Sequence, residues 1–460
     1  MLDLDPTTKI EFYAVVWLAL LLSALARGGD MRGSTVGLPL AFILSYTFVH
    51  SGALVHLVDG YDPAMSPYLR GFHYDKATVA EGLEASCLGM IGATCGFVLA
   101  DQRKRRAVQS LKVPSDKLRE RAVFLLFLGG AVTIFTKLLA KFGIQAAGMQ
   151  AVLDNIGSLF VTGSCCFIYY KFMLYGEHKA MITAAIFSLV VPAFILITTG
   201  ILADSVSNSL VIVCFYLSLS AKRAGSFVKK FFIISSVLGL AFVFAGAYLQ
   251  SRHVLRSVIS GGEGSDAAVG VIVQSASNFD PDSLIQYDTL ALFDARLDQN
   301  IFVGLAIQNL RAGSDNFEDG ATIGLALLGW VPRFLWPDKP GRGGSTFLAK
   351  HTGLQFSQDT TFGAGPVFEF YVNFGYPGVF FGFVVLGFIL RRLDIAAFRS
   401  LRAESLGSFA QYQLMGVILL GSLADLFFLV TSIAVALLVG LGLRIAWSRK
   451  AALSLREAGA

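Results

Sequence analysis

Long apolar runs alternate with short charged connections along this chain. Stretches near the twenty apolar residues that a helix needs to cross a bilayer lie at Ile10–Ala26, Val36–Leu57, Thr78–Ala100, Ala122–Leu139 and Ile156–Tyr175. Others follow at Ala180–Leu202, Val206–Ala221, Phe231–Leu249, Pro366–Leu390, Ser408–Ala424 and Leu426–Trp447. The pairs meeting at Asp204 and Asp425 read as hairpins, because each is too long for one crossing even when tilted. The pattern predicts an all-α, polytopic integral membrane protein with about 11 transmembrane helices. Residues 1–249 would hold helices one to eight, 250–365 one large loop, and 366–460 the last three helices and a tail.

Composition agrees with the pattern. Hydrophobic residues make up 55% and charged residues 15%, with a mean hydropathy of +0.64. Soluble domains carry about 25% charged residues, so a soluble globule is a poor fit and a disordered chain is excluded. The cysteines Cys87, Cys95, Cys165, Cys166 and Cys214 sit in apolar runs without metal-site spacing, which suits small buried hydrophobes. A net charge of only +5 does not point to nucleic acid.

Lys and Arg placement sets the expected orientation, since short positive loops stay cytoplasmic. Arg103, Lys104, Arg105, Arg106, Lys112, Lys117, Arg119 and Arg121 cluster in one connection. Arg27 and Arg32, then Lys222, Arg223, Lys229 and Lys230, then Arg391, Arg392, Arg399 and Arg402, repeat the bias in alternate connections. With Arg444, Arg449, Lys450 and Arg456 in the tail, all share one side if there are eleven spans. The N-terminus is then outside and the C-terminus inside. The acidic flank MLDLDPTTKIE, with no small-residue cleavage site after a short core, argues against a cleaved signal peptide.

The loop from Gln250 to Gly365 is the expected seat of function, because long connections in compact proteins seldom lack one. SGGEGSDAAVG reads as a flexible linker. Leu290, Phe293, Leu297, Ile301 and Leu305 recur at helical spacing and predict an amphipathic helix lying on the membrane or on other helices. Thr322–Val331 is too short to span and reads as re-entrant or interfacial, with Trp330 and Trp336 as anchors. Pro332, Pro337 and Pro340 forbid a continuous helix beyond it. The inverted repeat of many transporters is not visible.

Candidate chemistry gathers in this loop. Arg333, Lys339 and Arg342 stand among Gly341, Gly343 and Gly344, where backbone amides and cations could hold a phosphate or diphosphate. The alternative is that the cations anchor lipid headgroups. P-loop spacing is absent. Arg296, flanked by Asp294 and Asp298, is either a two-pronged phosphate donor or half of a surface ion pair.

Glu369, Tyr371 and Asn373 fall in the first turns of the ninth span. Glu369 either answers the helix dipole or acts as a general base. Glu81 and Glu84 share a face at the start of the third span, where the dipole reading is the simpler one. None of His50, His56, His73, His178, His253 and His351 pairs at zinc-ligand spacing, so no metal site is expected. His351, beside the basic segment, would ordinarily be a solvated loop histidine. Charges at mid-membrane depth are few, against an ion-coupled transporter.

The residues RLDQN, then GWVPRFLWPDKP, then GPVFEFYVNFGYPGVFFG follow one another between Arg296 and Arg392. In this order they resemble the Wzy-type repeat-unit polymerases of bacterial envelope polysaccharides, over roughly a fifth of the chain. Many members carry a basic residue in the turn that here reads TTGILADSVSN, with Asp204 and no arginine.

The resemblance implies a GT-C-like fold in the bacterial cytoplasmic membrane, and a metal-independent glycosyltransferase without cofactor. Its substrates would be an undecaprenyl-diphosphate-linked oligosaccharide donor and acceptor, among membrane lipids. Flippase and chain-length regulator proteins would be its partners. On that reading Arg296, Arg333 and Glu369 are catalytic, while Lys339, Arg342, Trp336, Tyr371, Asn373 and His351 bind substrate. An O-antigen ligase, a transporter of polysaccharide or lipid-linked sugar, and a non-catalytic export partner are the competing readings.

Overall fold

Backbone polar groups in a bilayer must be satisfied within the chain, and helices do this segment by segment. The computed structural model describes residues 4–27, 35–65, 74–101, 115–141, 149–199, 202–220, 226–260, 265–277, 280–332, 335–339, 344–356, 363–421 and 423–458. Among these residues the regular elements are helices, with no strand. Pro6–Ala26, Leu38–Leu57, Lys76–Asp101, Gln150–Val191 and Leu426–Ser448 are long and apolar enough to cross a membrane. This is a helical membrane protein.

Helix α1 (Pro6–Arg27) is followed by α2 (Leu38–His50), which continues as a 3-10 turn over Ser51–Leu57. Next come α3 (Lys76–Asp101), α4 (Asp116–Lys141), the short α5 (Gln150–Gly157) and α6 (Leu159–Thr199). Helix α6 breaks at Gly176, where φ is 81°. Its halves fold back on each other, since Phe167 and Phe187 meet edge to face with centroids 6.2 Å apart. Helix α7 (Leu202–Ser220) reverses again, and its Ser209 hydroxyl donates to the Ser188 carbonyl at 2.6 Å. Helix α8 (Ser226–Ser260) leads into the long connection.

That connection holds α9 (Ser265–Ser277), α10 (Tyr287–Leu297), α11 (Asn300–Arg311), α12 (Ala321–Leu327) and α13 (Gly344–Thr352). Two expectations are corrected here. Much of SGGEGSDAAVG is the start of α9, helical because Ala267 and Val271 pack on the core and tertiary contact outweighs composition. The expected single helix over Leu290–Leu305 is two, because Asp298 leaves helical geometry and its Oδ1 accepts the Asn300 N–H at 3.0 Å. All five periodic apolar residues are nevertheless buried.

Helices α14 (Gly365–Arg402), α15 (Leu406–Ile418) and α16 (Leu426–Ala458) complete the chain. Helix α14 breaks at Phe374 and Gly375, the glycine at φ 62°. Its first segment is buried among other helices.

Helix α3 lies at the centre, packed against α14, α11 and α1. Small residues allow the close approach that drives helix association in lipid. Side chains at Gly82 or Gly304 would collide with the backbones of Asn300 and Thr78, so α3 and α11 cross in near-backbone contact. At the far end of α3, buried Arg391 bonds Asp101 (Nε–Oδ1 3.0 Å) and pairs with Asp394. Asp394 Oδ1 in turn accepts the Val36 and Leu38 N–H groups at 3.0 and 3.2 Å, fixing the start of α2.

Candidate functional site

The opposite end of the bundle, where the long connection meets α3, is rich in polar groups. Asp75 begins it by capping α3, its Oδ1 accepting the Thr78 N–H at 2.8 Å. One turn on, Glu81 and Glu84 project from the shared face that their spacing predicts. Glu81 accepts from Arg311 Nη1 at 2.6 Å. Glu84 pairs with Lys9 at 2.5 Å and accepts the Tyr13 hydroxyl at 2.8 Å.

Tyr371 and Tyr376 stand on either side of the break in α14 with ring centroids 5.2 Å apart, within electrostatic reach of Arg311, Glu81 and Glu84. Apart from Glu84 Oε2, which faces the Lys9 ammonium, two atoms in this group are buried without a hydrogen-bond partner among the described residues: the Tyr376 hydroxyl and Glu81 Oε2. Orphaned polar atoms are rare in folded proteins and mark places where a ligand can supply the missing partner. The Arg311 side chain is 52% exposed, so this cation is open to a ligand from outside the bundle.

The break also organises the neighbouring loop. Glu318 N–H donates to the Val372 carbonyl at 2.9 Å, satisfying a group that the interrupted helix cannot. Asn373 Oδ1 accepts the Gly320 N–H at 2.9 Å, and its Nδ2 donates to Thr322 at 2.6 Å. Asn373 thus ties α14 to the start of α12.

Glu369 is buried, and its Oε2 accepts the Leu426 N–H at 2.7 Å at the beginning of α16. The dipole that it answers is therefore another helix's. Lys339 donates to the carbonyls of Gly329 (2.6 Å) and Val331 (3.0 Å) and lies over the Phe427 ring. Trp336 meets the same ring edge to face. These contacts hold the proline-rich turn on α16. Arg333 and Arg342 lie outside the described residues. Arg296 is exposed in the last turn of α10, and α11, about 17 Å long at 1.5 Å per residue, runs between that turn and Arg311.

His351 is not the solvated loop residue expected. It is buried, with Nδ1 on Asp315 and Nε2 3.0 Å from Glu318, which also pairs with Lys350. Its carbonyl accepts Asn309 Nδ2 at 2.8 Å, joining α13 to α11.

Sequence reasoning missed a second buried group, which joins one histidine to two aspartates distant in sequence. His56 Nε2 lies 3.1 Å from Asp294 Oδ1 and 3.9 Å from Asp298 Oδ2. Asp294 Oδ2 accepts the hydroxyls of Tyr61 and Tyr74, each at 2.6 Å. Burial and then the Asp294 charge push both phenols up, so they stay protonated and donate. Asp298 Oδ1 accepts Asn300 Nδ2 at 2.7 Å, and Asn300 Oδ1 accepts from His50 Nδ1 at 2.9 Å. The available signal was that Asp294 and Asp298, four residues apart, share one helical face while Arg296 lies on another.

No family model matches the chain, and no curated protein or solved structure matches it.

Proposed function

We propose that the protein polymerises undecaprenyl-diphosphate-linked oligosaccharide repeat units in a bacterial cytoplasmic membrane. In this reading the chain crosses the membrane eleven times in a GT-C-like arrangement. The N-terminus and the 250–365 loop are periplasmic, and the C-terminus is cytoplasmic. The resemblance between Arg296 and Arg392 supplies the substrate class.

The observation that carries the reading is the half-exposed Arg311 guanidinium, 2.6 Å from a Glu81 carboxylate whose second oxygen has no partner among the described residues. A diphosphate-activated sugar needs a cation where charge develops on the leaving group and a base where the acceptor hydroxyl loses its proton. Arg311 serves the first need, and Arg296, Arg333 and Arg342 remain candidates beside it. Glu81 serves the second better than Glu369, whose Oε2 is committed to the start of α16. The acceptor oxygen forms its bond to the anomeric carbon as the bond from that carbon to phosphate breaks. The hydroxyl proton passes to the carboxylate, and undecaprenyl diphosphate departs as the anion. Tyr376, whose hydroxyl has no partner among the described residues, offers a polar group to a sugar.

Complementation of a host lacking the gene tests this. Wild-type protein should restore long surface polysaccharide, and Arg311→Ala at equal protein level should leave single repeat units. Full-length polymer from Arg311→Ala would refute the assignment.

A further inference from the structure

Two carboxylates and one imidazole share a closed compartment beneath the long connection. His56, Asp294 and Asp298 are each at most 2% exposed. Their candidate ligand atoms all lie within 4.8 Å of one another. Asp294 is well served by its donors, but Asp298 Oδ2 has no hydrogen-bond donor among the described residues. That oxygen is buried and lies 3.9 Å from His56 Nε2, so it is turned into the cluster. Leaving a buried carboxylate oxygen unpartnered is expensive, and a cation among the three groups removes that cost.

We propose that His56, Asp294 and Asp298 bind one divalent first-row transition-metal ion, Zn2+ or Mn2+. One imidazole nitrogen with two carboxylate oxygens suits these ions better than the all-oxygen cages of Ca2+. The surrounding bonds fit the assignment as well. Carboxylate ligands of metals are themselves held by hydrogen bonds that aim them. Here Tyr61 and Tyr74 hold Asp294 Oδ2, and Asn300 holds Asp298 Oδ1, which leaves Asp294 Oδ1 and Asp298 Oδ2 directed at His56.

The ion acts as a clamp. It joins the 3-10 turn after α2 to α10 and to the joint between α10 and α11, with Tyr74 bringing in the approach to α3. It thereby fixes the start of the helix that ends in Arg311. The site is separate from the transferase chemistry proposed above and does not depend on it.

Detergent-purified full-length protein without a polyhistidine tag tests this. The protein is stripped with EDTA, incubated separately with ZnCl2 and MnCl2, desalted and analysed for metal by mass spectrometry. Wild type should retain one ion per chain of at least one of these metals and melt at a higher temperature when loaded. Asp298→Asn keeps the side-chain volume and should lose the ion. Tyr74→Phe should weaken metal affinity by about 10- to 100-fold, a readout that serves even if Asp298→Asn does not fold. Wild-type protein that retains neither metal would overturn the proposal. So would Asp298→Asn retaining as much as wild type, or unchanged affinity in Tyr74→Phe.

Discussion

Arg311 and Glu81 are joined at 2.6 Å across some 230 positions of sequence, and the residue-scale account turns on what each does when parted. Removing one donor to a developing anion typically costs about 10²–10³-fold in rate. Arg311→Ala should therefore lower kcat by about that factor while the protein stays folded, as judged by its melting temperature. Glu81→Gln removes the base and keeps the shape, so the loss should be about 10²–10⁴-fold. Glu369 makes a contrasting case. Glu369→Ala strips an acceptor from the start of α16 and should cost about 1–3 kcal/mol of stability, read as a lower melting temperature. Lys339→Met should behave similarly, since Lys339 donates to the backbone carbonyls of Gly329 and Val331.

At the scale of elements, the break in α14 and the crossing of α3 with α11 hold the site in place. Gly375 adopts φ 62°, a region that costs a residue with a Cβ about 1 kcal/mol or more. Gly375→Ala should thus lower stability and shift Tyr371 relative to Tyr376, measurable as a fall in melting temperature together with activity. Much of this scale was legible beforehand. Apolar run lengths located the helices, and the apolar spacing from Leu290 to Leu305 marked the faces that the structure buries. The split at Asp298 was not legible, because it depends on a side chain bonding its own backbone inside a packed group. The partners of Glu81, Asp294 and Glu369 were equally hidden. Each lies far away in sequence, and periodicity reports which way a residue faces but not what it meets. Arg311 drew no attention, since a lone arginine at a helix end has no motif around it.

For the whole molecule, the proposed topology puts the basic connections and the tail on one side and the long connection on the other. Single cysteines placed at Ser314 and Ser448 in a cysteine-free background test this, because both positions are exposed. In intact cells with a permeable outer membrane, a membrane-impermeant maleimide should label position 314 and spare position 448. The reverse pattern would invert the orientation. This topology rests on the asymmetry of Lys and Arg, a signal that does not depend on how the helices pack.

The central claim is repeated glycosyl transfer from a diphosphate lipid, and its most direct measurement uses purified components. Protein in detergent is incubated with synthetic undecaprenyl-diphosphate-linked repeat units, and product lengths are read by mass spectrometry. The account predicts a ladder of several repeat units with release of undecaprenyl diphosphate from wild type, and starting material from Arg311→Ala. A single addition, no addition by wild type with its host's own repeat unit, or an undiminished ladder from Arg311→Ala would contradict it.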